Sequence, residues 1–347
     1  MRRFDYSFLK NELPSSMFSL SNVLADLRGR AEIRKEENKA VFSKLEEIAI
    51  IESVYSSNAI EGIVTTDSRF LEILSGSEPK TYAEAEIINY RKALDNIHLY
   101  HNSLDLTENY LLELHRVLMQ DTSPLAAGRF KQNDNFIMEI DADGIRHIRF
   151  RPVSAAETPS AVEQMLLAYY EARQDAEIPQ LLLIPCVILD FLCIHPFPDG
   201  NGRISRLLTI LLLYLNDYDI SRYISLEKEI EEYKGNYCEA LQRSSENWHE
   251  NRNDYVPFMI NFLQILYQCF RKLDERFVNN SLKKLPKNKR VEELVKKTIV
   301  PLSKTDIEQK LPDISVKTIE KVLQKMVKEG TIRKIGTFRN ARYIGNK

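Results

Sequence analysis

The twelve residues His195-Pro196-Phe197-Pro198-Asp199-Gly200-Asn201-Gly202-Arg203-Ile204-Ser205-Arg206 concentrate more chemistry than any other stretch of this 347-residue chain. His195 is the only group among them that titrates near neutrality, so it could take a proton from an incoming hydroxyl. Asp199 offers a carboxylate to a hard divalent cation that keeps several waters; Mg²⁺ is the natural choice and Mn²⁺ the alternative. Gly200 and Gly202 are expected to take positive φ, so that backbone amides approach an anion at the start of a helix. Arg203 and Arg206, three residues apart, project from neighbouring positions on one helix face. Gly200-Asn201-Gly202 alone would be no more than a tight turn. Joined to a base, a metal carboxylate and two arginines, it specifies phosphoryl-type transfer.

Such a loop needs rigid flanks, and the sequence supplies them. Ile184 to Ile194 reads as a buried helix, and Leu207, Leu208, Ile210, Leu211, Leu212 and Leu215 make a second helix that is apolar around most of its circumference. Helical periodicity also marks Val23 to Leu45, Tyr82 to Leu99, Glu108 to Met119, Ala161 to Ala172 and Tyr255 to Leu273, so the expected class is mainly α. The exception lies between Asn135 and Arg151. There Phe136, Ile137 and Ile140, then Ile145, Ile148 and Phe150, flank Asp141-Ala142-Asp143-Gly144, which predicts a β-hairpin with an Asp-Gly turn.

The loop resembles the signature of Fic-domain proteins, His-Pro-Phe-x-Asp/Glu-Gly-Asn-Gly-Arg-x-x-Arg, without departure. The resemblance continues through Leu112-Glu113-Leu114-His115-Arg116 and Gly128-Arg129-Phe130 to the hairpin and covers roughly residues 50 to 265, with the core at 105 to 265. It implies a helical bundle with a β-hairpin flap, and a protein adenylyltransferase that moves AMP from ATP, the co-substrate, to a Ser, Thr or Tyr hydroxyl of a target protein or of the chain itself. On that resemblance His195 is the catalytic base and Asp199 holds the metal. Gly200, Asn201, Gly202, Arg203 and Arg206 bind the phosphates. Tyr233, Asn236 and Tyr237 would form the adenine pocket, and Phe136, Ile137, Ile140, Ile145 and Ile148 the flap that pairs with the target. Phe197 is expected to pack beneath the loop and His115 to be a hydrogen-bonded core residue. Gly202 argues against the branch of the family that carries Lys there and phosphorylates instead.

Ser57, Glu61 and Gly62 resemble the family's inhibitory motif, placed before the core. Ser57 and Glu61, at i and i+4, share a helix face and Gly62 suits a helix end. Glu61 is therefore expected to pair with Arg206 and occupy the guanidinium that would grip the γ-phosphate. Two other readings stand beside this one: a DNA-binding regulator whose Fic body senses nucleotide, and an enzyme that removes AMP with Glu61 positioning water.

Charge divides the chain. Residues 281–347 hold 18 Lys and Arg against 7 Asp and Glu, a net +11, which leaves 30 basic and 43 acidic residues, net −13, before them. The expected organisation is a Fic region at 1–278, a linker at 279–289 around Pro286, and a winged helix-turn-helix domain at 290–347. Its helices are predicted at Arg290 to Thr298, Lys304 to Lys310 and Ser315 to Glu329, with strands at Thr331 to Lys334 and Ala341 to Ile344. Lys317, Lys321, Lys325 and Lys328, with Arg333, Lys334, Arg339 and Arg342, could meet DNA phosphates, and Ser315, Lys317 or Thr318 base edges; the same module also serves as a protein-interaction surface. The four cysteines, Cys186, Cys193, Cys238 and Cys269, include no CxxC pair and read as reduced core thiols, and the histidines show no zinc spacing. No run reaches the roughly 18 apolar residues of a membrane span. No signal-like start is seen, so a cytoplasmic protein is expected, with a homodimer open.

Overall fold

The computed structural model describes residues 2–11, 13–140, 144–283, 286–297, 301–336 and 341–345. The chain divides into two compact units, Met1–Arg271 and Lys272–Lys347.

Among its described residues, the regular structure of the first unit is helical apart from one hairpin. Its helices are α1 (Ser15–Glu37), α2 (Lys39–Ile60), α3 (Asp67–Leu74), α4 (Tyr82–Tyr100), α5 (Glu108–Met119), α6 (Thr158–Gln174), α7 (Gln180–Ile194), α8 (Asn201–Tyr214), α9 (Leu226–Glu232) and α10 (Lys234–Ser245); α11 (Val256–Lys283) carries the division. The hairpin, β1 (Ile137–Ile140) and β2 (Arg146–Phe150), comes between α5 and α6. Threonines start α3, α4 and α5: Thr66, Thr81 and Thr107 each accept a backbone N–H three residues on, from Arg69, Glu84 and Tyr110. Such caps satisfy donors that the first helical turn leaves unpaired.

The single helix expected over Val23 to Leu45 is two. The break is at Asn38, whose φ of −135° leaves the helical region and whose Nδ2 donates to Arg34 O at 3.2 Å. Charged, helix-tolerant residues on both sides hide that break from periodicity. The core forms where α7 packs on α6 and α8, α4 on α5 and α8, and α2 on α4 and α9. Val187, Ile188, Phe191, Ile204, Leu207, Leu208 and Leu211 are sealed from solvent. Two helices this thoroughly buried hold the loop between them at both ends. Truncating one of their leucines to Ala would cost about 2–5 kcal/mol.

In the hairpin Ile137 faces Phe150, Met138 faces Ile148 and Glu139 faces His147. Asp141, Ala142 and Asp143 of the predicted turn lie outside the described residues; Gly144 follows them with φ of 79°. Cys186, Cys193 and Cys269 are buried as expected, whereas Cys238 is exposed because its position on α10 faces away from the core.

In the second unit α12 (Lys287–Lys297), α13 (Lys304–Lys310) and α14 (Val316–Lys328) accompany an antiparallel sheet of β3 (Leu302–Ser303), β4 (Ile332–Ile335) and β5 (Arg342–Gly345), in the order β3-β5-β4. Val291, Val295, Ile307, Leu323, Met326 and Tyr343 share its core. Ser303 and Asp306 form a reciprocal capping box at the start of α13. The sequence reading lacks β3, which at two residues carries no alternation to detect. Thr298 and Arg339 lie outside the described residues. The expected linker spans the end of α11, two residues outside the description, and the first turn of α12.

Candidate active site

The loop between α7 and α8 is built by backbone exceptions. His195 ends α7 in the left-handed region, φ 49° and ψ 61°, with its N–H donating to Phe191 O at 2.9 Å. Pro196 cannot continue the helix, so the chain leaves it there. Gly200 caps α8 at φ 78°, and a Cβ on it would stand 3.1 Å from Leu118 Cδ2. Conformation and space both require glycine at that position.

Gly202 corrects the sequence expectation, for it lies within α8 and takes no positive φ. Space is what demands glycine here: a Cβ would run into Glu61 Oε1 and stand 3.5 Å from Arg206 Nη1. Phe197 packs beneath the loop as expected, fully buried and stacked on His115 with ring centroids 4.0 Å apart. His115 is a hydrogen-bonded core residue, its Nδ1 accepting from Gly128 N at 3.0 Å. The Asn201 side chain clamps the loop from within. Its Oδ1 accepts from Phe197 N at 3.0 Å and its Nδ2 donates to Phe197 O at 2.8 Å.

Two residues that sequence reasoning missed surround His195. Asn135 Nδ2 lies 3.0 Å from His195 Nδ1 and donates to Phe197 O at 3.0 Å. Lys131, itself buried, donates to Asn135 Oδ1 at 2.8 Å and to Ile194 O at 3.0 Å. Burial pushes the Lys131 ammonium down to about 8. Burial, reinforced by Lys131, likewise pushes His195 down to about 4, against the opposing pull of Glu61 and Asp199. The imidazole is therefore neutral at physiological pH. No local spacing announces either residue, because each meets His195 from about 60 positions away in sequence.

Arg203 and Arg206 are both buried. Arg203 Nη1 lies 3.5 Å from Glu86 Oε2, its Nη2 lies 3.9 Å from Asp199 Oδ2, and its Nε has no hydrogen-bond partner among the described residues. Burial raises the Glu86 carboxyl above its ordinary value, with Arg203 opposing. Arg206 Nε donates to Ser57 Oγ at 2.8 Å, and its Nη2 donates to Ser57 O at 2.9 Å and to Glu61 Oε1 at 2.8 Å. Glu61 caps the C-terminus of α2, and Gly62 follows at φ 77°. The helix thus stops where its last side chain reaches the loop. Behind it, Ser53, Ser225, Glu227 and Tyr90 form a buried chain of hydrogen bonds that ties α2 to α9 and α4.

A cavity of about 200 Å³ opens beside His195, lined by Glu61, Gly202, Ile137, Arg149 and Phe150 among others. Larger cavities, of about 640 and 490 Å³, lie around Arg2 with Tyr255 and around Arg151 with His249, without His195. The chemistry selects the smaller one. Of the flap residues, Ile137 reaches this cavity, while Phe136, Ile145 and Ile148 are exposed beside it in sequence; nothing is described of the Ile140 side chain. Tyr237 lies close enough to Ser205 and Arg206 to interact with both, and burial raises its hydroxyl to about 12. Tyr233 is exposed at the junction of α9 and α10, and Asn236 lines a different cavity with Arg243 and Asp254.

Asp199 is largely exposed; its Oδ1 accepts from Gly200 N at 2.6 Å. Among the described residues no group of three or more His, Cys, Asp or Glu side chains gathers to cage a metal. One accessible carboxylate next to a phosphate-sized cradle fits a cation that takes most of its ligands from water and phosphate.

In the second unit Ser315 Oγ accepts from Thr318 N at 3.3 Å and pairs with Thr318 Oγ1 at 2.9 Å, so both hydroxyls serve the α14 cap. Lys317, Lys321 and Lys328 are exposed on the same helix, as are Arg333, Lys334 and Arg342 on the strands, whereas Lys325 has Glu292 and Glu329 within 4 Å.

The Fic/DOC family profile matches residues 105–213. A protein adenylyltransferase Fic of Nematostella vectensis is 28% identical over 172 residues, which is 48% of this chain and 38% of that protein. The chain thus spans well under half the length of that curated relative. A solved Fic family protein from Desulfovibrio desulfuricans G20 superimposes with a TM-score of 0.64 at 19% identity, covering 97% of this chain and 98% of that one. Fic-1 from C. elegans does so at 0.55 and 18% identity, over 74% and 72%. The helical fold is shared with these structures, and the matched segment, which holds His115, the hairpin and the whole of His195 to Arg206, is a Fic domain.

Proposed function

We propose that this chain transfers AMP from ATP to a hydroxyl of a target protein and that Glu61 restrains the transfer. In this reading the target hydroxyl attacks the α-phosphorus, the bond to pyrophosphate breaks, and the hydroxyl proton passes to His195. The amides at the start of α8 and the guanidinium of Arg203 hold the α- and β-phosphates, with Asn201 keeping the loop in shape. Arg206 takes the γ-phosphate, and Asp199 is the residue that would hold Mg²⁺. A bound divalent ion would offset phosphate charge there. Tyr237 is the adenine-pocket residue best supported by position, and the flap offers Ile137 toward the acceptor.

The observation that carries the reading is the Glu61 carboxylate. It stands over Gly202, where any Cβ would collide with it, and it holds the buried Arg206 at 2.8 Å. An acidic group already occupies the concavity that a phosphate would fill, which supports both an anion site and a brake upon it. The Glu61→Gly variant incubated with α-³²P-ATP and cell lysate should label protein, and His195→Ala in that background should bind ATP without labelling anything. No label from Glu61→Gly with any lysate would remove the transferase reading.

The order α12-β3-α13-α14-β4-β5 supports a winged helix in the second unit. Its exposed lysines and arginines support an anionic partner such as DNA.

A further inference from the structure

The two side-chain amides next to His195 Nδ1 are oriented by their other partners. Asn201 Oδ1 faces the Phe197 N–H and its Nδ2 faces Phe197 O. Turning that amide over would place oxygen against a carbonyl and NH₂ against a donor. Asn135 is fixed in the same way, its Oδ1 by the Lys131 ammonium and its Nδ2 by Phe197 O. What remains of each amide for the imidazole is an N–H, at 3.0 Å from Asn135 and 3.3 Å from Asn201. Nδ1 can only accept from these two donors, so it must carry the lone pair.

We propose that Asn135 is a positioning residue that holds His195 as the Nε2–H tautomer in the resting chain, so that the nitrogen left for the cavity bears a proton instead of accepting one. This inference rests on His195 being the base of the transfer. A neutral ring with hydrogen on Nε2 cannot take the proton of an attacking hydroxyl. That proton must first leave for solvent while another binds Nδ1, and Nδ1–H needs an acceptor that the Asn135 amide does not present. Asn135 stands two residues before β1, at the base of the flap. A carboxylate at the same place would do the opposite. It would accept from Nδ1–H with one oxygen, leave the other to Lys131 and free the Nε2 lone pair, the first oxygen having to turn from Phe197 O toward the ring.

Nitrogen NMR reads the tautomer without any turnover. The full chain, labelled with ¹⁵N-histidine and held at neutral pH, gives long-range ¹H–¹⁵N correlations for its six histidines, and loss of one set in His195→Ala assigns His195. The expected spectrum shows a pyridine-like Nδ1 and a pyrrole-like Nε2, exchanged in Asn135→Asp. Protonated Nδ1 in the unsubstituted chain overturns the proposal, as does an unchanged pattern in Asn135→Asp when the other five histidines keep their shifts. In the Glu61→Gly background, Asn135→Asp should raise AMP transfer roughly tenfold, the worth of about one net hydrogen bond, and move the acid limb of the pH profile upward. Asn135→Ala should do neither. Failure of the function reading would show as no transfer in either background with the spectra as expected, and failure of the tautomer reading as the reverse.

Discussion

Replacing Glu61 with Gly removes one of the three hydrogen bonds on the Arg206 guanidinium and leaves both bonds to Ser57 in place. The arginine therefore keeps its position and loses its counter-charge. A charge-assisted bond contributes about 1.5–3 kcal/mol when shielded. Glu61 is 38% exposed, however, and solvent screening brings the pair to about 1–2 kcal/mol. If the γ-phosphate competes with this carboxylate for Arg206, the variant should bind ATP about 5- to 30-fold more tightly, since about 1.4 kcal/mol is a factor of ten. It should melt slightly lower, because a buried cation is left less compensated. Calorimetric titration with ATP and Mg²⁺ measures the first effect and thermal unfolding the second. Gly202→Ala supplies the control: its methyl would displace the same carboxylate while filling the cradle, so it should break the pair without improving ATP binding. Equal ATP affinity in the unsubstituted chain and in Glu61→Gly would refute the argument that one site serves both anions.

Stability should depend steeply on acid. His98 is held down to about 3, and His115 and His195 to about 4, in each case chiefly by burial. Depressed cationic acids stabilise the fold fully above the unfolded value of about 6.5 and lose that contribution as pH falls toward the folded values, at about 1.4 kcal/mol per unit. About 3 kcal/mol or more per histidine approaches the whole stability of a domain. The melting temperature should therefore be flat above pH 7 and drop sharply between 6.5 and 4, and a flat curve there would contradict the burial argument. Arg2 closes a buried cluster in which Asp190 accepts from Tyr6 at 2.8 Å, Trp248 at 2.6 Å and Tyr255 at 2.9 Å. Arg2→Ala should cost about 3 kcal/mol by leaving that carboxylate unneutralised, seen as a lower urea midpoint; an unchanged midpoint would assign the cluster no such role. If the second unit meets DNA, Lys317→Glu with Lys321→Glu should weaken binding to a random duplex and flatten its salt dependence by close to one unit of log slope for each phosphate no longer neutralised. Binding that ignores salt would discard the nucleic-acid reading.

The sequence is most legible where chemistry and chain direction coincide. His195 to Arg206 is contiguous, its flanking helices are apolar enough to read, and Pro196 and Gly200 mark the turn. Ser57 and Glu61 are legible for the same reason, being one turn apart on a helix that Gly62 closes. Legibility fails where the determinant is a distance in space. Lys131 and Asn135 sit in a stretch without periodicity, and only the folded chain brings them to the imidazole. Gly202 is the right residue for a reason other than the expected one. Its role depends on the Glu61 carboxylate, 141 positions upstream, which no rule about backbone freedom contains. Asn38 shows the converse: two helices share one uninterrupted propensity, and the break is a side chain turning back on Arg34 O.

Determinants that act through space also carry both of the restraints proposed above. On the proposed reading Glu61 restrains the phosphate side, through its contacts with Arg206 and over Gly202, and Asn135 the hydroxyl side, through His195 Nδ1. The two restraints share no atom and come from different elements, the end of α2 and the base of the flap. Their effects on AMP transfer should therefore be independent and multiply, as expected for sites without a shared partner. The one path between them is the Coulomb effect of Glu61 on the imidazole, which favours the protonated ring. Removing Glu61 should then lower the His195 pKa further, so the acid limb in Glu61→Gly should move down in pH even as ATP binding improves. An upward shift would mean that the carboxylate reaches His195 by some route other than its charge.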